Sequence, residues 1–169
     1  MKKTIRSIAV LMVLVLSLSF SACSEVQSFI KGDVTGELNK TYSTQWFDFT
    51  VKSIKTAYSY GEFYTDDGWK FVIVRVSEKN TFNTAIPMSA YDFLLKAEGL
   101  EEEDGWPLSP LEGSEDTMMP EEFEIRIGGS AEYDVVFSIP DEITDISFIY
   151  EEIDDKQNVG ATFTIKHSL

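Results

Sequence analysis

The sequence predicts an all-β fold, a two-sheet antiparallel sandwich of about seven strands over residues 41–169, on three observations. Apolar side chains recur at every second position in run after run, the period of a strand with one buried face. The runs are short and are separated by Gly, Pro, Asn and Asp, the residues that make turns. No stretch longer than a turn or two has helical spacing. A small closed barrel is the alternative that the same pattern allows.

The chain opens with a different kind of segment. Lys2, Lys3 and Arg6 form a basic start, Ile8 to Leu16 are almost unbroken apolar residues, and Ser17 to Ala22 are mostly small. The apolar core is too short for a stable bilayer span, so residues 1–22 read as a signal peptide. Directly behind it stands the one cysteine of the chain, and Phe20-Ser21-Ala22-Cys23 resembles the lipobox of bacterial lipoproteins, with Phe20 where that family usually has Leu. The resemblance implies cleavage before Cys23 and a lipid on its thiol. Two or more acyl chains bury enough CH₂ groups to anchor a domain durably, where one does not. The expected location is the extracytoplasmic face of the cell membrane, with the membrane as a partner through Cys23. Residues 23–40, with two glycines, scattered charge and no sustained period, read as lipidated cysteine and tether.

Beyond Lys40 the strands follow in order. Phe47, Phe49 and Val51 oppose Asp48, Thr50 and Lys52, as on a half-buried strand. Val72, Val74 and Val76 alternate with Phe71, Ile73 and Arg75; both faces are largely apolar, so this strand is expected to be central. Phe93 and Leu95 face a core before Gly99. Phe123, Ile125 and Ile127 alternate with Glu124 and Arg126 up to Gly128-Gly129. Tyr133, Val135, Phe137 and Ile139 share one side, and Pro140, which has no N–H, ends the ladder. Ile146, Phe148 and Tyr150, then Ala161, Phe163 and Ile165, complete the inward set.

Taken together, "KFVIVRVSEKN", "YDFLLKAEG" and "GGSAEYDVVFSIPDEITDISFIY" resemble successive signatures of the telokin-like, immunoglobulin-like domains of unknown function found on bacterial lipoproteins. That family is similar in fold to the mycobacterial immunoprotective extracellular antigen. The matching positions are Asn80, Phe93 with Leu95, Gly128-Gly129, and Val135 with Phe137 and Pro140, over roughly residues 40–166. A long acidic insertion between Lys96 and Glu121, and Ser130, depart from the pattern. The resemblance implies an immunoglobulin-like antiparallel β-sandwich at the cell surface and carries over no catalytic residue.

The chemistry available is limited. His167 is the one histidine and stands two residues from the C-terminus, a poor place for a general base. No nucleophile elbow or phosphate loop occurs, and the lipobox resemblance implies that Cys23 is consumed by lipid. Without a second His or a free Cys, a zinc site is not expected. Glu101, Glu102, Glu103 and Asp104, the turn Asp66-Asp67-Gly68, and Asp154-Asp155 with Asn158 are the acidic clusters to weigh for calcium. None has the local ligand spacing of a calcium loop, and solvated acidic loops are expected instead. No catalytic residue, metal or cofactor is assigned.

Charge excludes one class of partner. The chain has 29 Asp+Glu against 14 Lys+Arg, a net charge of −15, and loss of residues 1–22 would move it to −18. Such a surface repels phosphate backbones, so no nucleic-acid partner is expected. Without a second cysteine, stability must come from an apolar core, which 43% hydrophobic and 13% aromatic residues can supply.

Two stretches rise above this background. In "AYSYGEFYTDDGW" the rings of Tyr58, Tyr60, Phe63, Tyr64 and Trp69 alternate with Ser, Gly and Asp, the chemistry of antibody paratopes and of sugar stacking. The competing reading is a hairpin whose rings pair across strands. The second, "AEGLEEEDGWPLSPLEGSEDTMMP", sets Trp106, Met118 and Met119 among acids and three prolines. It would suit a basic partner, or its apolar residues would pin it to the sheet. Tyr58, Tyr60, Tyr64, Trp69 and Trp106 are the ligand-binding candidates. The expected function is a non-catalytic binding module for protein or glycan. The alternatives are a protease inhibitor on an immunoglobulin-like scaffold and an extracytoplasmic carboxylate-dependent hydrolase.

Overall fold

The computed structural model describes residues 32–114, 116–153 and 159–169. The signal segment and Cys23 lie outside the described residues, as do Asp154, Asp155 and Asn158. Along the chain the strands are β1 (Gly32–Gly36), β2 (Thr41–Ser43), β3 (Phe47–Ala57), β4 (Ser59–Tyr60), β5 (Phe63–Tyr64), β6 (Trp69–Asn80), β7 (Ile86–Met88), β8 (Phe93–Lys96), β9 (Phe123–Ile125), β10 (Ser130–Pro140), β11 (Asp145–Ile153) and β12 (Val159–Ser168). One four-stranded sheet has the order β10-β6-β3-β2 and the other β1-β12-β11-β8, while β4-β5 and β7-β9 form small separate pairs. The seven runs expected from the sequence are β3, β6, β8, β9, β10, β11 and β12, and the other strands have two to five residues each.

The two large sheets face one another, and rings fill the space between. Phe49 on β3 meets Phe163 on β12 edge to face at 5.3 Å and Tyr150 on β11 at 5.6 Å. Phe137 on β10 meets Phe148 on β11 at 6.2 Å, and Phe148 stacks on Phe93 of β8 at 5.2 Å. Each such pair adds about 0.5–1.5 kcal/mol beyond the area it buries. This is a β-sandwich. As expected, β6 is central, with β3 and β10 on its two sides.

Three expectations are corrected. The sandwich is not wholly antiparallel, because β1 runs parallel to β12 with Gly32 to Gly36 in register with Ala161 to Ile165. Part of the stretch read as tether, 23–40, therefore belongs to a sheet. In "GDVTG" only Val34 is apolar, so this edge strand leaves no period to read. Gly36 is required there, since a Cβ would stand 2.7 Å from Ile165 Cγ1. Finally, Ile127 does not face inward but is 66% exposed. A turn begins at Arg126, whose carbonyl accepts from the Gly129 amide at 2.8 Å, and Gly128 takes a positive φ of 68°.

The acidic insertion turns out to be fixed to the first sheet. Leu108 N–H donates to Val136 O at 2.7 Å, Met119 N–H to Asp134 O at 2.9 Å, and Asp134 N–H to Thr117 O at 2.8 Å, so the loop caps the open edge of β10. Met119 enters the main core, while Met118 packs with Phe71 and Val136 in a second, smaller cluster. That cluster explains why the second face of β6 is apolar.

Candidate functional site

The site grows from the last residues of β6. The inward phase of Val72, Val74 and Val76 continues to Glu78 and Asn80, both buried. Asn80 shapes the loop that follows: Nδ2 donates to Thr84 O and Ile125 O at 2.8 Å each, and Oδ1 accepts from Phe82 N–H at 2.8 Å. Phe82 is thereby set against Trp46, ring edge to face at 4.9 Å. Trp46 is oriented in turn by Thr44, whose hydroxyl accepts from the Trp46 and Phe47 amides.

A second loop supplies the opposite wall. Ser89 caps a 3₁₀ turn over Ala90–Asp92, its Oγ accepting from Tyr91 N–H at 3.1 Å while its own amide donates to Asp92 Oδ2 at 2.8 Å. The Tyr91 hydroxyl is held by Ser109 Oγ at 3.2 Å and donates to Glu121 Oε1 at 3.3 Å; Ser109 also bonds to Glu121. Trp106, from the acidic insertion, approaches Tyr91 at 6.5 Å between ring centroids, tilted by 64°.

These elements enclose a cavity of about 480 Å³, with Trp46, Phe82, Tyr91, Trp106, Tyr150 and Ile153 in its wall beside the acids Asp92 and Glu151. A second cavity, about 550 Å³, shares Leu94, Trp106 and Glu151 with the first and continues past β8 to Glu101 and Glu102. The two form one groove along edge strand β8, with Trp106 at the junction. Tyr91, Trp106 and Ile153, all large apolar side chains exposed to solvent, stand on it.

Beneath the groove lies a buried acidic group. Glu78 is 1% exposed, and neither carboxylate oxygen has a hydrogen-bond partner among the described residues. Burial, and then repulsion from Asp92, push its carboxyl up to about 8, so it carries a proton at neutral pH. Burial also raises Asp92, against the Ser89 amide, which lowers it. Tyr150 is raised well above the usual phenol range by burial and then by Asp92, Glu152 and Glu78. Glu152, buried too, accepts from the Gln45 amide.

Of the five ring-bearing residues singled out in the sequence, the structure places one, Trp106, in this groove. Tyr58 and Tyr64 are 64% and 79% exposed on the β4-β5 hairpin. Tyr60 is half-buried, its hydroxyl donating to Asp134 Oδ2 at 2.9 Å and bonded to Thr117 Oγ1 at 3.0 Å. Trp69 begins β6 opposite Pro140. Among the described residues no ring contact joins these side chains into a patch, and no group of three or more His, Cys, Asp or Glu is arranged to hold a metal ion. The residues that sequence reasoning passed over are Trp46, Glu78, Phe82, Tyr91 and Asp92. Two of them left a signal: "SAYD" has the spacing of a capping box, and the alternation along β6 lands on Glu78.

No protein-family model and no curated protein matches the chain. Solved structures do. The candidate lipoprotein ycdA of Bacillus subtilis is similar at a TM-score of 0.55 and 18% identity, over 76% of this chain and 38% of that one. The chain thus spans well under half the length of ycdA. The yjhA protein of Bacillus subtilis aligns at a TM-score of 0.54 and 14% identity, over 76% of this chain and 98% of that one. An uncharacterized β-sandwich protein of Clostridium difficile 630 aligns at 0.50 and 12% identity, over 82% and 96%. At these identities the likeness establishes the sandwich fold.

Proposed function

We propose that the chain is a lipid-anchored, extracytoplasmic β-sandwich that acts as a non-catalytic binding module for protein or glycan. The observation that carries the binding role is the β8 groove, in which Phe82 and Tyr91 are held by hydrogen bonds from neighbouring loops before any ligand arrives. The acid furthest from its ordinary range, Glu78, does not line the cavity and is sealed from solvent, so it can pass no proton to a bound molecule. This favours binding over hydrolysis.

Support for the anchor comes from the lipobox-like Phe20-Ser21-Ala22-Cys23 and from the naming of ycdA as a candidate lipoprotein. Only residues 24–31 separate Cys23 from β1, a reach of roughly 30 Å at full extension, so the sandwich would sit close to the membrane. The finer family assignment, to the telokin-like, immunoglobulin-like domains of bacterial lipoproteins, rests on the ordered signatures from Asn80 to Pro140.

Mass spectrometry of the native product is expected to find a diacylated Cys23 as N-terminus; an unacylated terminus would defeat the anchor. For binding, the protein is presented to a glycan array and to separated envelope proteins. A retained ligand should be lost on Trp106→Ala, and retention indifferent to that change would remove the groove as the site.

A further inference from the structure

The charge of the groove is one-sided. Asp92, Glu151, Glu101 and Glu102 line it, and Lys96 is the one cation among the lining residues. The chain around it has a net charge of −15. Asp92 uses Oδ2 on the Ser89 amide, and its other oxygen has no hydrogen bond among the described residues. Glu78, buried and without a partner, lies close enough behind to feel the charge of Asp92. A neutral ligand would cover Asp92, Glu151, Glu101 and Glu102 with nothing to offset their lost hydration, whereas a cation would compensate them.

The rings suit the same charge. Tyr91 and Trp106 meet edge to face with 6.5 Å between centroids, yet remain 41% and 43% exposed, so ring surface is left for an incoming group, and a cation within about 6 Å of a ring centroid is attracted by its quadrupole. The hydroxyl bonds of Tyr91 to Ser109 and Glu121 fix its ring in advance. The shape argues for a chain over a small amine, since the two cavities run on from one another past β8, which has β11 as its one strand partner.

We infer that the β8 groove binds an extended, lysine- or arginine-bearing peptide segment, with one cationic side chain lying against the exposed ring surface of Tyr91 and Trp106 beside Asp92. The inference rests on the binding-module reading and names its partner.

The test titrates full-length protein, purified in detergent, with a nine-residue peptide of alternating lysine and valine, followed by tryptophan fluorescence and calorimetry. Saturable binding is expected, weakened by roughly tenfold or more in Asp92→Asn and in Trp106→Ala. Asp92→Asn keeps an acceptor for the Ser89 amide. Should it unfold, Glu151→Gln replaces it, with a loss in the same direction. Glu62→Gln, on the distant hairpin, should leave affinity within about twofold. No binding, no response to the groove variants, or an equal loss in Glu62→Gln would overturn the inference. A neutral chitin or glucan oligosaccharide is titrated in parallel. If it binds in a Trp106-dependent way while the lysine peptide does not, the cationic partner is refuted and the binding module stands. If both bind nowhere in the groove, both fall.

Discussion

Strand β6 buries an ionisable side chain near each end, and the two ends treat it differently. Lys70 and Glu78 share the inward face with Val72, Val74 and Val76 between them, and both are buried. The Lys70 ammonium donates to Asp141 O and Ile143 O, each at 2.7 Å, and so ties down the turn between β10 and β11. Glu78 has no such partners among the described residues and faces the charge of Asp92. A buried charge with two good acceptors is a structural clamp, whereas a buried acid with none is a standing cost. That cost falls at the end of the sandwich where the rings open into a groove. Under the proposed binding role, that cost is carried beside the place where a ligand would sit.

The contrast can be broken by experiment, beginning with pH. Because the Glu78 carboxyl is raised to about 8 in the folded protein, the native state keeps a proton that the unfolded chain has already lost above its ordinary value near 4.5. Stability should therefore fall as pH rises between about 5 and 8, on the order of 4 kcal/mol, and level off above. Burial of Asp92 acts in the same direction. Chemical denaturation across this range should show the slope in the native protein and most of it gone in Glu78→Gln. A flat native profile would mean that Glu78 finds a partner in solution.

At the other end, Lys70→Met strands the buried Ile143 carbonyl and the part-buried Asp141 carbonyl and should cost about 3 kcal/mol in a urea titration at pH 6. A cost below about 1 kcal/mol would erase the distinction between the two ends. Away from both ends the effects shrink. Tyr60→Phe gives up the hydroxyl bonds to Asp134 and Thr117 and should lower stability by about 1 kcal/mol. Tyr64→Ala, on a side chain 79% exposed, should change the midpoint by less than about 0.5 kcal/mol, and a larger loss would show that the hairpin is packed more tightly than its exposure indicates.

The sandwich was legible because its long strands each spend one face on the core. Phe47, Phe49 and Val51, Val135, Phe137 and Ile139, and Phe148 with Phe163 and Ile165 are all buried where the alternation puts them. The short strand β1 was illegible for the opposite reason, since its pairing is carried by backbone and one valine. The groove was harder still. Its walls come from segments far apart in the chain, Trp46, Phe82, Tyr91 and Trp106, which no local window joins. The ring-rich hairpin drew attention because its residues are neighbours in sequence, yet contiguity of that kind says little about convergence in space. Met118 and Met119 were readable as anchors from their apolar character, and the structure buries both.

Returning to β1, its pairing with β12 joins the first and last strands of the described fold. A chain synthesised from its N-terminus therefore carries the rings of Tyr42, Phe49 and Tyr150 without the cover of Phe163 until the ten residues of β12, Val159–Ser168, have emerged. Contacts of such long range form slowly, and until they form, the bare inner faces are open to sticking. The sandwich is thus built to stay unfinished until its last described strand has joined its first.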